Sequence, residues 1–519
     1  MIKTSTSLLI LIFICHLAHS QIYQPKRYEI EFENDDEYFN VLPADENGII
    51  LFRSIDNEGD FKHEHYEVKL LDTDLGEKWQ KTIITDNKFS LKGFDYTQGY
   101  FYLLYKKGVR TRDGLHIVKI DVNTGDESTF DIENEVEFEF SHFVISGKNA
   151  VFGGYFSNRP TLVMYDMEDE RMKVLPGFFQ RSSFLLELKA NDVQNTFNVL
   201  ITEKNFANET TLIYKTFDNE GNTLVNNVIK LAGKMRILDG RTNDPSEQGL
   251  IITGLYSKLS SEMCDGVFFA KIRPGEDYEV KFHELENFES FFNYLPDKRK
   301  EKLKNKAKIK GADNFNFRSR LLMHELIQLD SDYLFVAEVF QPQFGAPTTS
   351  AYGRLYPGVG APQPAQPVTQ WVSHINRAQD TEGFSGFKYE QAFLVGFDEN
   401  GEKLWDNSFQ IEDVETFAPE QVVKVYADQH KVDLLYKYDD ELRFKVIEKD
   451  RIVVRDTTVN LELLYPDDKL KNNNEEMTGV ERWYDHYFFV WGYQRITNSL
   501  DNEVDQKRNV FYINKVYID

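Results

Sequence analysis

The stretch Phe393-Leu394-Val395-Gly396-Phe397-Asp398-Glu399-Asn400-Gly401-Glu402-Lys403-Leu404-Trp405 decides the fold. An apolar strand-like run stops at an Asp, turns through a Gly, and resumes as a second run that ends in Trp. Asp and Gly mark the turn because Asp bonds its own backbone and Gly accepts a left-handed conformation. The unit recurs along the chain. It stands at 68–79 with Asp72, Gly76 and Trp79, at 117–125 with Asp121 and Gly125, and at 162–166 with Asp166 and no Gly. It returns at 212–221 with Asp218 and Gly221, in degenerate form at 268–275, and again at 444–450. Residues 511–519 end the chain in the same register.

Successive turns are about 45 to 55 residues apart, except for one gap of about 125. A strand pair needs fewer than about 25 residues, so each period holds about four strands. The text before each turn supplies the other two, as in 94–104, 143–152, 326–336 and 423–435, each broken by Asp, Asn or Gly. Four antiparallel strands repeated at this period predict an all-β fold, a β-propeller of about seven to eight four-stranded blades. The last unit shows three strands only. The alternating segment 28–32 is then expected to supply the missing outer strand and close the ring.

The N-terminus reads as an export signal. Lys3 precedes the apolar run 8–14, which is too short to span a bilayer, and Ala18-His19-Ser20 fits a small-x-small cleavage site before Gln21. The expected organisation is a signal peptide over 1–20 and a single propeller domain over 21–519. Ile14 before Cys15 speaks against lipoprotein processing. Losing Lys3 with the leader takes the net charge from −25 to −26 and leaves Cys264 as the sole cysteine. A disulfide scaffold is excluded, and the location expected is the periplasm or the cell surface. The acidic field disfavours nucleic acid, and no later segment is apolar enough to be a membrane span. The 41 Phe and 27 Tyr exclude wholesale disorder.

In repeat shape, the chain resembles bacterial propellers with quinoprotein-like (PQQ-like) repeats. Their mark is an apolar strand, Asp, a Gly turn and a Trp closing the blade. It is complete here at Asp72/Gly76/Trp79 and Asp398/Gly401/Trp405. The resemblance carries over no cofactor. The family's enzymes hold their quinone with a vicinal Cys pair, and one Cys remains here.

The long gap holds two insertions, expected at about 284–318 and 341–388. The first contains Lys298, Arg299, Lys300, Lys302, Lys304, Lys306, Lys308 and Lys310 against Glu301, a cationic run with helical spacing in an acidic chain. Phe288, Phe291, Phe292 and Tyr294 are expected to pin it to the propeller. The second carries six of the fifteen prolines, which disfavour helix and interior strand, with Tyr352, Tyr356 and Trp371 as candidate contact residues.

The chemistry sought elsewhere is missing. His63-Glu64-His65 has no third metal ligand nearby, and there is no nucleophile elbow, phosphate loop or calcium loop. No catalytic residue, metal or cofactor is assigned. The function expected is an exported, monomeric, non-enzymatic propeller serving as an interaction platform in the cell envelope. It would bind a protein or anionic glycan through Lys298, Arg299, Lys300, Lys302, Lys304, Lys306, Tyr352, Tyr356 and Trp371. The alternative is a carbohydrate-active enzyme or glycan-binding protein with its site in the central funnel.

Overall fold

A computed structural model describes residues 21–33, 38–55, 59–60, 62–86, 88–108, 110, 112–134, 138–177, 183–205, 209–231, 235–244, 249–258, 263–273, 275, 277–310, 317–345, 384–416, 418–499 and 506–519. The side chains of 304, 306–310 and 472–477 are outside that description, as is the expected leader, 1–20. The described chain folds into eight antiparallel sheets, each built on four strands in meander order, and they form a β-propeller. Blades 1 to 5 occupy 40–86, 90–132, 139–175, 183–230 and 236–284. Blade 6 spans 320–416 with two extra short strands, and blade 7 spans 424–460. Blade 8 combines Lys469–Arg482, Tyr487–Thr497 and Lys507–Ile518 with the N-terminal strand Ile22–Glu31.

Within each blade the chain runs from the inner strand, beside the inner strands of its neighbours, to an outer strand with an exposed face. The second and third strands are almost wholly buried, because both their faces meet another blade; Leu250–Ser257 is buried at every position. This explains their continuous apolar runs in place of strict alternation.

The turn chemistry behaves as the repeat implies. Asp398 Oδ1 accepts the N–H groups of Asn400 and Glu402, each at 2.8 Å, and Asp218 Oδ1 accepts those of Glu220 at 3.0 Å and Asn222 at 2.7 Å. Gly401 and Gly221 each have φ +74°, and a Cβ on Gly401 would stand 2.4 Å from the Phe269 ring of blade 5. The glycine therefore serves the turn and also the contact between blades. Copy 68–79 departs from this. Leu75, at φ 62°, takes the left-handed place there, and Gly76 does not.

The expected ring closure is present. Ile22–Glu31 pairs antiparallel with Lys507–Ile518, from Ile22 opposite Ile518 to Glu31 opposite Val510, and stands at the outer position. Blade 8 then packs on blade 1. Trp483 Nε1 donates to Gly48 O at 3.0 Å, Lys515 Nζ to Thr73 O at 2.8 Å, and the Phe39 N–H to the Tyr493 hydroxyl at 2.6 Å.

The proline-based reading of 341–388 needs correction at its edges. Strands Asp332–Phe344 and Phe384–Phe397 continue into both ends, and Pro342 sits inside a strand opposite Phe387. Pro is tolerated there because the inner partner Arg320–Met323 reaches only as far as Phe340, so one side of the strand is free at residue 342.

Candidate functional site

Strand order decides where the insertions emerge. In a four-strand meander, the link from an outer strand to the next inner strand opens at the same end as the link between second and third strands. Residues 285–319 form the first kind of link and 345–383 the second, both in blade 6. Both insertions thus leave from one end of the ring, opposite to the Asp–Gly turns.

The first insertion is pinned as expected. Phe288 and Phe291 are fully buried, each 5.0 Å from the Phe393 ring centre, and Phe292 stacks edge-on to Phe317 at 4.9 Å. The Ser290 N–H donates to Asp406 at 2.7 Å, Gln391 Nε2 to Phe291 O at 2.6 Å, and Arg318 pairs with buried Asp265 at 2.9 Å. Cys264 bridges to Ser319 in the backbone and is fully buried, and burial pushes its thiol pKa up, so it is a structural residue. Between these anchors stands helix α1, Asp297–Lys310. Lys298, Arg299 and Lys302 are exposed on it, and Lys300 is half-buried with Asp297 at 3.7 Å. Lys304 and Lys306 are helical in backbone only, their side chains being outside the description. Tyr352, Tyr356 and Trp371 lie outside the described residues. The described chain reaches the edge of that segment near Phe344, a residue that is 56% exposed.

A second constellation lies on the inner strands, where sequence reasoning placed none. Counted back four residues from the first residue paired across the inner turn, blades 3, 4, 5, 6 and 7 carry His142, Glu187, Asp239, Glu325 and Lys424. In blades 3, 4 and 5 this position directly follows a β-bulge, which re-aims the strand locally. The register signal needed to find this row is the turn, and the spacing between blades is too uneven to show it.

Charged members of this row, with their neighbours, join consecutive blades. Glu187 accepts from the Thr242 hydroxyl of blade 5 at 2.5 Å. Arg241 is 3% exposed in its side chain, holds Asp239 at 2.6 Å and reaches Glu325 of blade 6 at 3.1 Å. Glu338 of blade 6, fully buried, accepts the N–H groups of Val422 at 3.0 Å and Val423 at 2.9 Å and faces His324 Nε2 at 2.8 Å. Lys424 of blade 7 pairs with Glu481 of blade 8 at 2.7 Å. Burial, and then the Glu325 charge, push the Glu187 carboxyl well above the usual carboxylate range. Burial, and then the Arg241 charge, take His142 down to about 3, so its ring is neutral. His142 Nδ1 faces the Ser141 hydroxyl at 2.8 Å. Most of these groups are spent on one another. The Glu325 carboxylate is the one that opens widely to solvent, at 63% exposure.

His63 and His65 start the strand His63–Leu71 and both face Asp60, at 2.8 and 3.2 Å. Among the described residues, no group of three or more His, Cys, Asp or Glu is arranged to hold a metal ion. Likewise, no helix there is long and apolar enough to cross a membrane.

No protein-family model matches the sequence, and no curated protein matches it. Solved structures similar to it include the polysaccharide lyase Uly1, at 8% identity over 96% of this chain and 100% of that one, with a TM-score of 0.38. The β-propeller domain of the Trilobed protease from Pyrococcus furiosus gives 8% identity over 79% and 93%, with a TM-score of 0.35. A prolyl endopeptidase gives 11% identity over 83% of this chain and 50% of that one, with a TM-score of 0.36. Function is therefore argued from this chain's own residues.

Proposed function

We propose that the protein is an exported recognition propeller that binds an anionic partner, a protein or a glycan of the cell envelope, at the end of the ring where blade 6 extends. The observation carrying this reading is that both insertions leave from that one end, and that one of them is a cationic helix in a chain of net charge −25. A partner of opposite charge is drawn to such a helix against the repulsion of the rest of the surface. Among the described side chains of α1, Lys298, Arg299 and Lys302 are exposed, and Lys300 stands 3.7 Å from Asp297. The test is retention on an immobilised sulfated or carboxylated polysaccharide, together with crosslinked capture from envelope extract. Changing Lys298, Arg299, Lys300 and Lys302 to Glu is expected to abolish retention and capture without changing the melting temperature. Equal retention and capture by variant and parent refute the docking role.

One observation favours a second reading, a carbohydrate-active site at the inner strands: Glu187, held protonated more readily than an ordinary carboxyl, lies within electrostatic reach of exposed Glu325. Two carboxyls in unlike environments are what acid–base cleavage of a glycan needs. Glu325→Gln, assayed for turnover across a polysaccharide panel, separates the two readings. A panel that the parent protein leaves uncut removes the second.

A further inference from the structure

Residues 297–310 hold eight cations and two acids, a net of +6 that leaves −31 for the rest of the chain. Along the described part of α1, the exposed residues are Asp297, Lys298, Arg299, Glu301, Lys302 and Asn305, all of them polar, while Leu303 is half-buried. The aromatic residues at the root of the helix are taken up by the blade. Phe288 and Phe291 are fully buried, and Phe292 and Tyr294 pack on the same core. Lys298 and Lys302 stand one turn apart on one face, about 6 Å along the axis of the helix. Arg299 is exposed as well, within electrostatic reach of Glu390 of blade 6.

Resting on the docking role of α1 given above, we propose that its partner is a linear anionic polysaccharide, bearing carboxylates or sulfates along its length and lying along the helix. The composition of the exposed face selects this class over a folded protein. Protein interfaces are built on an apolar centre with aromatic anchors, and the exposed residues of α1 include no apolar side chain and no ring. A lysine ammonium is a point charge without the two-pronged geometry of a guanidinium, and seven of the eight cations are Lys. Such a face responds to the density of charge along a partner and imposes no fixed arrangement of groups.

The charge of the remaining chain points the same way. An acidic globular partner, or an anionic membrane, brings a broad negative surface toward a propeller that carries −31 outside the helix. A single polymer strand can stay within the screening length of α1, about 8 Å at physiological ionic strength, while the rest of it remains in solvent. Single-stranded nucleic acid is also a thin polyanion, but its binders stack the bases on aromatic side chains, and the exposed residues of α1 offer none. The helix is about 21 Å long, enough to meet several sugar units at once. Binding then proceeds by release of the counterions condensed on the polymer, and neighbouring cations contribute alike.

The experiment is titration of the intact protein with polygalacturonate, dextran sulfate, neutral dextran, single-stranded oligothymidylate and anionic phospholipid vesicles, from about 50 to 200 mM salt. Polygalacturonate, dextran sulfate or both should bind, and neutral dextran should not; which of the two binds tells carboxylate from sulfate. The logarithm of the binding constant should fall linearly with that of the salt concentration. Lys298→Gln and Lys302→Gln should each make that slope shallower by about 0.7 and weaken binding by similar factors, with the melting temperature unchanged. Lys298→Arg should restore the slope and the affinity. No binding of either charged polysaccharide, binding that ignores salt, or equal binding by the parent and both Gln variants overturns the proposal. Tighter binding of oligothymidylate or vesicles at matched charge overturns it also. If both polysaccharides are ignored while envelope extract yields a protein that crosslinks to the parent and not to the charge-reversed helix, the docking role stands and the polysaccharide falls. If the parent and the charge-reversed protein behave alike in every arm, both fall.

Discussion

Arg241 of blade 5 reaches Glu325 of blade 6, Nε to Oε1, at 3.1 Å, while the same guanidinium holds Asp239 at 2.6 Å. The two ends of this contact differ. Asp239 is 5% exposed in its side chain, and Glu325 is 63% exposed. The pair that matters for stability is the buried one, since an exposed partner is compensated by water. Arg241→Leu is therefore expected to cost about 3–5 kcal/mol in urea unfolding. Glu325→Gln should cost less than about 1 kcal/mol. Arg241→Leu combined with Asp239→Leu should recover most of the loss, because no charge is then left buried alone.

The turn glycines separate backbone strain from crowding. Gly99 has φ +77° with nothing within 4 Å of a Cβ, whereas Gly401, at φ +74°, has the Phe269 ring at 2.4 Å. Gly99→Ala should cost about 1–2 kcal/mol for the left-handed backbone alone. Gly401→Ala should add about 1–3 kcal/mol of overpacking. Phe269→Leu in the Gly401→Ala background, measured by thermal melting, is expected to return part of that added cost.

Two groups, the buried His142 and the half-buried Asp95, give opposite pH dependences. His142 has its pKa lowered from 6.5 to about 3, so the fold favours the neutral ring. Its contribution is present above pH 6.5 and is lost as pH falls toward 3. Asp95 has its carboxyl raised from 3.8 to about 6, by burial first, against the N–H groups of Ile145 and Tyr96. Its contribution is present below pH 3.8 and is lost as pH rises through 6. Urea midpoints from pH 4 to 8 should thus show a shallower acid-side fall for His142→Gln. Asp95→Asn should show less loss than the parent between pH 4 and 6.

Ring closure offers a fourth test. Removing residues 21–33 strips blade 8 of its outer strand and exposes the Lys507–Ile518 edge. Such a chain should melt earlier than any single-residue variant above and aggregate on warming. Adding a synthetic peptide of residues 21–33 should restore the melting temperature in a concentration-dependent manner, because the strand binds the folded state alone.

Much of the architecture was legible because the turn carries its own chemistry. Asp218 and Asp398 bond the backbone of their turns, and the same Asp at 72, 121 and 166 marks the later half of its blade. The closing role of 28–32 was legible from alternation and from a final unit short of one strand. The inner row was not. His142, Glu187, Asp239 and Glu325 fall on no constant spacing, since loops of different length separate them, and each sits beside apolar residues that dominate any local pattern. The place of Pro342 in a strand was illegible for a related reason: whether Pro fits a strand depends on whether a neighbour lies on its N–H side, and that is a property of the sheet.

The pairing of Ile22 with Ile518 also sets an order in time. The strand Ile22–Glu31 has Lys507–Ile518 as its partner, so it must wait until about 480 further residues have been made. Blades 2 to 5 have all their strands within short spans and can form as each is completed, whereas blade 8 closes by a contact of nearly the greatest sequence separation the chain allows. Until then the N-terminal strand is an unpaired ribbon and the nascent protein an open arc. Completion of the ring thus depends on residues 507–518 having been made: a chain truncated before residue 507 lacks the strand on which Ile22–Glu31 must lie.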